Sequence, residues 1–174
     1  MTFRQLADRG EVTTVDLDEA YQVSFGAVVD RTRSSNMIPA ANLGAVLPGR
    51  GALADEWLVI GAHYDHNGYG WFGTTPEAGP LMPGADDNAS GTAGLLVLAK
   101  MLSETYAETR DTEDLRSILF LAFDAEERGL HGSRFYCEHP TIPPQRMTGL
   151  LNMDMIGRLR SDRLSIFGAG TGEG

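Results

Sequence analysis

Two hydrophobic periods alternate along the chain. Residues 57–62 (Trp-Leu-Val-Ile-Gly-Ala) and 118–123 (Ile-Leu-Phe-Leu-Ala-Phe) are continuous apolar runs, short enough for strands and apolar enough to be covered on both faces. Between them Leu95, Leu98, Ala99 and Leu102 recur at i, i+3, i+4 and i+7. That is one stripe of a helix, widened by Leu96, Val97 and Met101. Val23, Phe25, Ala27 and Val29 alternate with small or polar residues as in a half-buried strand, and 43–47 is another strand, closed by the turn signal Pro48-Gly49-Arg50-Gly51. Residues 150–156 read as a third apolar strand interrupted by Asn152 and Asp154, and 164–167 as a fourth. The segment 132–139 suits a short helix stopped near Pro140, and the acidic stretch 104–114 a solvated connection. Residues 1–20 are polar and acidic, fitting one irregular helix, and 31–41 read as loop. Buried strands alternating with a helix predict an α/β architecture.

The polar residues fall where such a fold gathers chemistry. His63 and Asp65 follow the first buried run, Glu126 and Glu127 the second, and Asp154 sits in the third. Asp87 stands in the turn Pro-Gly-Ala-Asp-Asp-Asn-Ala-Ser-Gly that opens the apolar helix, with Asn88 or Ser90 as its N-cap. In open α/β sheets, ligands bind beyond the carboxyl ends of the strands. A carboxylate before a helix start is favoured in its charged form, and a cluster of such groups near the interior is costly unless a cation neutralises it. One histidine with several carboxylates is a donor set suited to Zn²⁺ or a neighbouring divalent metal. Each residue also has an ordinary structural reading: an interior histidine, an exposed strand end, a turn cap. Their joint occurrence points to a site. Adjacent strand residues face opposite ways, so Glu126 and Glu127 serve one centre only if the strand ends there, one binding metal and the other acting as a base.

Four segments carry a resemblance. His63-Tyr64-Asp65-His66, Gly84-Ala85-Asp86-Asp87-Asn88-Ala89-Ser90-Gly91, Glu126-Glu127-Arg128-Gly129-Leu130-His131-Gly132-Ser133 and Asn152-Met153-Asp154-Met155-Ile156-Gly157 resemble, in order, the motifs of the M28 family of zinc aminopeptidases. The resemblance runs from about residue 42 onward. It divides the chain into an N-terminal segment, 1–41, that can be the end of a preceding region, and the N-terminal part of a peptidase domain, 42–174. It implies a mixed, mostly parallel sheet flanked by helices and holding two zinc ions. Asp87 would bridge the ions, His63 and Asp154 would complete one site, and Glu127 would bind the other. Glu126 would be the general base that hands on the proton of a metal-activated water, and Asp65 would orient His63. The implied substrate is a peptide with a free amino terminus. Trp71 and Phe72, in the Gly- and Pro-rich loop between His63 and Asp87, are candidate walls of the pocket for its side chain.

The resemblance has one departure. The family's second site takes a histidine well downstream of the last acidic motif, and a downstream tyrosine helps hold the oxyanion. The four histidines here are 63, 66, 131 and 139, and no tyrosine follows Tyr136. His66, His131 and His139 read as poor substitutes. The expectation is a C-terminally truncated catalytic domain with one well-formed metal site, one deficient site and little activity. Rivals on the same scaffold are a glutaminyl cyclase-like transferase, a carboxypeptidase or dipeptidase, and a non-catalytic binding domain. The Glu126-Glu127 pair and Asp87 favour the peptidase.

Composition removes other classes. Net charge is −10, with thirteen Arg, a single Lys and no basic run, which excludes a nucleic-acid partner of the usual cationic kind. One cysteine, Cys137, excludes an internal disulfide and a Cys-rich zinc module. No run approaches the ~20 apolar residues of a membrane span, and the N-terminus lacks the basic and apolar regions of a signal peptide. The chain is therefore either cytoplasmic or a mature or trimmed form, and the resemblance leans towards an extracytoplasmic or secreted protein. There is no His-Glu-x-x-His helix, no Gly-x-Ser-x-Gly around Ser90 or Ser133, and the glycine-rich 168–174 misses the dinucleotide pattern.

Overall fold

The structure, a computed structural model, describes residues 13–15, 22–24, 37–68, 80–159, 162–163 and 165–168. In chain order the strands are β1 (Thr13–Val15), β2 (Gln22–Ser24), β3 (Met37–Pro39), β4 (Leu43–Leu47), β5 (Trp57–His63), β6 (Ser117–Phe123) and β7 (Met147–Asn152). Helix α1 spans Ala89–Glu108 and α2 spans His131–Glu138. β2 and β3 form a separate two-stranded ribbon. The other five strands make one sheet in the order β1-β4-β6-β5-β7. β5 pairs parallel with both β6 and β7, whereas β4 runs antiparallel to β6 and β1 to β4. The expected mixed α/β fold is thus present, with α1 as the crossover from β5 to β6.

β6 explains why the sheet is covered on both faces. All seven of its residues are buried, and successive side chains point opposite ways. Ile118, Phe120 and Ala122 pack with Leu95 and Ala99 of α1, together with Ala45, Ile60 and Met153. Leu119, Leu121 and Phe123 pack on the other face with Val59, Tyr136 of α2 and Ile142. β5 continues through His63, burying its last five positions. Parallel β5, β6 and β7 therefore deliver the residues that follow them to one edge of the sheet, the edge at which α1 begins.

Several predicted boundaries are corrected. The acidic segment expected to be loop from residue 104 is helical to Glu108. Tyr106 packs against the core and donates its hydroxyl to the Arg116 carbonyl at 2.7 Å, and Lys100 pairs with Glu104 one turn on. The strand expected at 150–156 starts and ends earlier, at Met147–Asn152, so Asp154 lies beyond it. β7 is not a buried strand either, since Leu150 and Leu151 are 65% and 53% exposed. Residues 165–167 form no strand. Thr13–Val15 is extended rather than part of the helix expected over 1–20, and Met37–Pro39 is a strand within the expected loop. The rest of the strand expected at 23–29 lies outside the described residues. Among the described residues, no helix is long and apolar enough to cross a membrane.

Candidate metal centre

His63 is the deepest member of the cluster. It ends β5, is 2% exposed, and its Nδ1 faces the Asp65 backbone oxygen at 3.2 Å and Asp65 Oδ1 at 3.5 Å. Both are acceptors, so Nδ1 carries a proton and Nε2 is the atom left to coordinate. Nε2 has no hydrogen-bond partner, yet it faces Asp87 Oδ1 at 3.3 Å, Asp154 Oδ1 at 3.4 Å and Glu126 Oε2 at 4.0 Å. Ligand atoms of His63, Asp87 and Asp154 all lie within 4.8 Å of one another. A tetrahedral ion with bonds of about 2.05 Å holds its donors about 3.3 Å apart. The His63 spacings match that edge, and an orphaned buried ring nitrogen aimed at carboxylates is what such an ion would satisfy.

A second group shares Asp87. Ligand atoms of His66, Asp87 and Glu127 also fall within 4.8 Å of each other. Glu126 and Glu127 stand past the end of β6, released from the strand's alternation by Ala125 at φ 53°. Both can therefore serve the same centre.

Asp65 and Asn88 hold these segments in register. Asp65 Oδ1 accepts from the Glu126 amide at 2.9 Å and Oδ2 from the Glu127 amide at 3.3 Å. The side chain expected only to orient His63 thus also fixes the loop bearing both glutamates. Asn88, 2% exposed, uses its full hydrogen-bonding capacity. Its Nδ2 donates to the carbonyls of His63 (3.2 Å) and Met153 (3.0 Å), and its Oδ1 accepts from the amides of Gly91 (3.1 Å) and Met155 (3.1 Å). The Gly91 bond is the N-cap of α1, which decides between Asn88 and Ser90. Ser90 instead donates to the Asp86 carbonyl at 2.6 Å. One amide therefore ties together the segments carrying His63, Asp87 and Asp154. Sequence reasoning saw only the cap, because the other three bonds span distances in sequence that no local pattern encodes.

The electrostatics follow from this crowding. Burial alone would disfavour the His63 imidazolium. The hydrogen bond to Asp65 and the charges of Glu126, Asp154 and Asp65 outweigh it and push His63 up to about 9. Burial also raises Glu126 above the usual carboxylate range; His63 opposes the shift, while the negative charges of Glu127, Asp154 and Asp65 add to it. Asp65 is buried too, but the His63 hydrogen bond and the two glutamate amides hold its carboxyl below the ordinary value.

His131 begins α2, and His139, its C-cap, stacks on Phe135; neither belongs to the two donor groups. Trp71 and Phe72 lie outside the described residues. A largely apolar cavity of about 540 Å³ opens beside Glu126 and Asp154, walled by Leu130, Tyr136, Cys137, Met147 and Leu150. These residues come from two separate segments, 126–137 and 147–154, so no single stretch of sequence announced the cavity.

Comparison with known proteins identifies the family. The sequence profile of peptidase family M28 matches residues 42–174, and the chain belongs to that family. Aminopeptidase YwaD of Bacillus subtilis is 33% identical over 101 residues, covering 58% of this chain and 18% of the relative. A probable zinc metalloprotease of Pyricularia oryzae is 32% identical over 132 residues, covering 76% and 24%. The chain thus spans about a fifth to a quarter of the length of these curated relatives. Among solved structures, a Zn-dependent exopeptidase from Parabacteroides distasonis aligns at TM-score 0.62 with 18% identity, covering 89% of this chain and 51% of that one. A glutaminyl cyclase of Porphyromonas gingivalis aligns at 0.59 with 19% identity, covering 89% and 49%. At such identities the two structures share the fold alone with this chain.

Proposed function

We propose that the chain forms the metal-binding part of a zinc-dependent exopeptidase that removes N-terminal residues from peptides. The observation that carries this is the convergence of His63 Nε2 with Asp87 and Asp154 at tetrahedral spacing, beside a carboxyl group, Glu126, raised above its ordinary pKa. Membership of a peptidase family and an aminopeptidase and a zinc metalloprotease among the relatives support the substrate class and the metal. In this reading His63, Asp87 and Asp154 would hold one ion, and Asp87 and Glu127 would help hold a second.

Bound zinc would lower the pKa of a water molecule towards neutrality and polarise the scissile carbonyl. The chain's own residues do the remaining work. Glu126 accepts the proton of the attacking water and returns it to the leaving amine nitrogen, and its raised pKa brings it nearer the value at which it can do both. Asp65 holds Glu126 in place through its backbone amide and keeps the His63 ring in one tautomer. The fold alone does not separate a peptidase from a cyclase, but the sequence relatives and the Glu126-Glu127 pair favour the peptidase.

The test offers aminoacyl amides, N-blocked peptides and peptides with N-terminal glutamine to the protein and to Glu126→Gln. Hydrolysis of aminoacyl amides alone is expected, falling on the order of 10²–10⁴-fold in Glu126→Gln with zinc content unchanged. Cyclisation of N-terminal glutamine, or full hydrolysis by Glu126→Gln, would refute the proposal.

A further inference from the structure

We propose that His66 is a ligand of the second metal ion, binding through Nδ1 beside Glu127 and Asp87. The inference rests on the two-ion reading above and adds a donor to Glu127 and Asp87. His66 Nδ1 lies 2.6 Å from Glu127 Oε1, but the pair is outside hydrogen-bond geometry, and each atom is buried without any hydrogen-bond partner. The side chains are 20% and 14% exposed, so little solvent reaches them. Two buried polar atoms brought together without bonding each other are costly unless a third group satisfies both. An ordinary His–Glu ion pair would align its N–H with the carboxylate. Here a ligand atom of Asp87 also lies within 4.8 Å of those of both residues.

The ring is also seated deliberately. Gly84 has φ +64°, and a Cβ there would stand 2.8 Å from His66 Cδ2 and 2.9 Å from Cγ. Only glycine both adopts that backbone conformation without strain and leaves the ring its place. The turn that carries Asp87 therefore accommodates the His66 ring in the same few residues. Zinc bonds of about 2.0–2.2 Å require His66 and Glu127 to part by less than about 1 Å from their present spacing, which side-chain rotation supplies. Asp87, common to both donor groups, would then lie between an ion held with His63 and Asp154 and an ion held with His66 and Glu127.

Zinc per chain, and the affinity of each ion against a competing chelator, would be measured for the full chain and for His66→Ala and His66→Asn. Melting of the metal-free proteins would show that the variants fold. Two tight ions are expected in the parent chain. One is expected in each variant, the second binding at least 100-fold more weakly. One tight ion in all three proteins would overturn the His66 assignment and leave the His63 centre standing. Two ions of unchanged affinity in a folded variant would overturn it as well, by showing that another group completes the site. No zinc in the parent chain would remove the metal reading itself.

Discussion

The two donor groups meet at Asp87, yet they are built differently. On one side His63 is almost wholly buried at the end of a strand, its ring fixed by Asp65 and its carbonyl held by Asn88 and Thr92. On the other, His66 sits in the loop after that strand, part-exposed, steadied by contact with the Gly84 turn. The first is organised by buried hydrogen bonds, which fix direction as well as position. The second is organised by packing, which fixes position and leaves rotation to the ligand. A preformed donor group and an adaptable one can therefore share a single carboxylate.

The largest break in this contrast should come from a residue outside both donor groups. Asn88→Ala strands the buried Gly91 amide, the part-buried Met155 amide and the Met153 carbonyl, and takes one of two donors from the His63 carbonyl. Stability should fall by about 3 kcal/mol, a melting shift on the order of 10 °C. Calorimetry of the metal-free chain measures it, and a shift within error would mean that water replaces the amide. Asp65→Asn should act next. It removes the charge beside His63 and loosens the glutamate amides, so zinc affinity at the His63 side should drop about 10–100-fold. Chelator competition should show a smaller loss at the His66 side. Equal losses would erase the distinction between the two halves.

The smallest effect is one of pH. In the native chain without metal His63 keeps its proton up to about 9, whereas the ordinary value of the ring is 6.5. Its contribution to stability is therefore complete below about 6.5 and is lost as pH rises through about 9. Melting temperature should fall across that window, and His63→Gln should flatten the decline. Zinc needs the neutral ring, so binding near pH 7.5 should release a proton from His63, measurable in buffers of different ionisation enthalpy.

The contrast also explains what could be read from the sequence. β5, β6 and the start of α1 were legible because unbroken apolar runs and an apolar stripe reflect burial directly. The end of α1 was not, because Glu104 and Glu108 look like loop while Tyr106 between them anchors the last turns to the core. The limits of β7 were misread because Met153 is apolar and buried although it has left the strand, its amide on the Gly61 carbonyl. His63, Asp87, Glu126, Glu127 and Asp154 were candidates from their places beyond strands and before a helix, and the fold brings them close together. His66 read as a poor substitute for a downstream histidine. The closeness of Gly84 to the His66 ring, on which the proposed ligation draws, is visible only in the folded chain.

Asn88 has one more consequence, for how the molecule breathes. The amides of Gly91 and Met155 share a single acceptor oxygen, though one begins a helix and the other follows the last strand. Neither segment can swing away without disturbing the bond that secures its neighbour. In hydrogen–deuterium exchange the two amides should therefore open as one unit. The loops around Asp87 would then lose their order together, and the centre would be either assembled or absent.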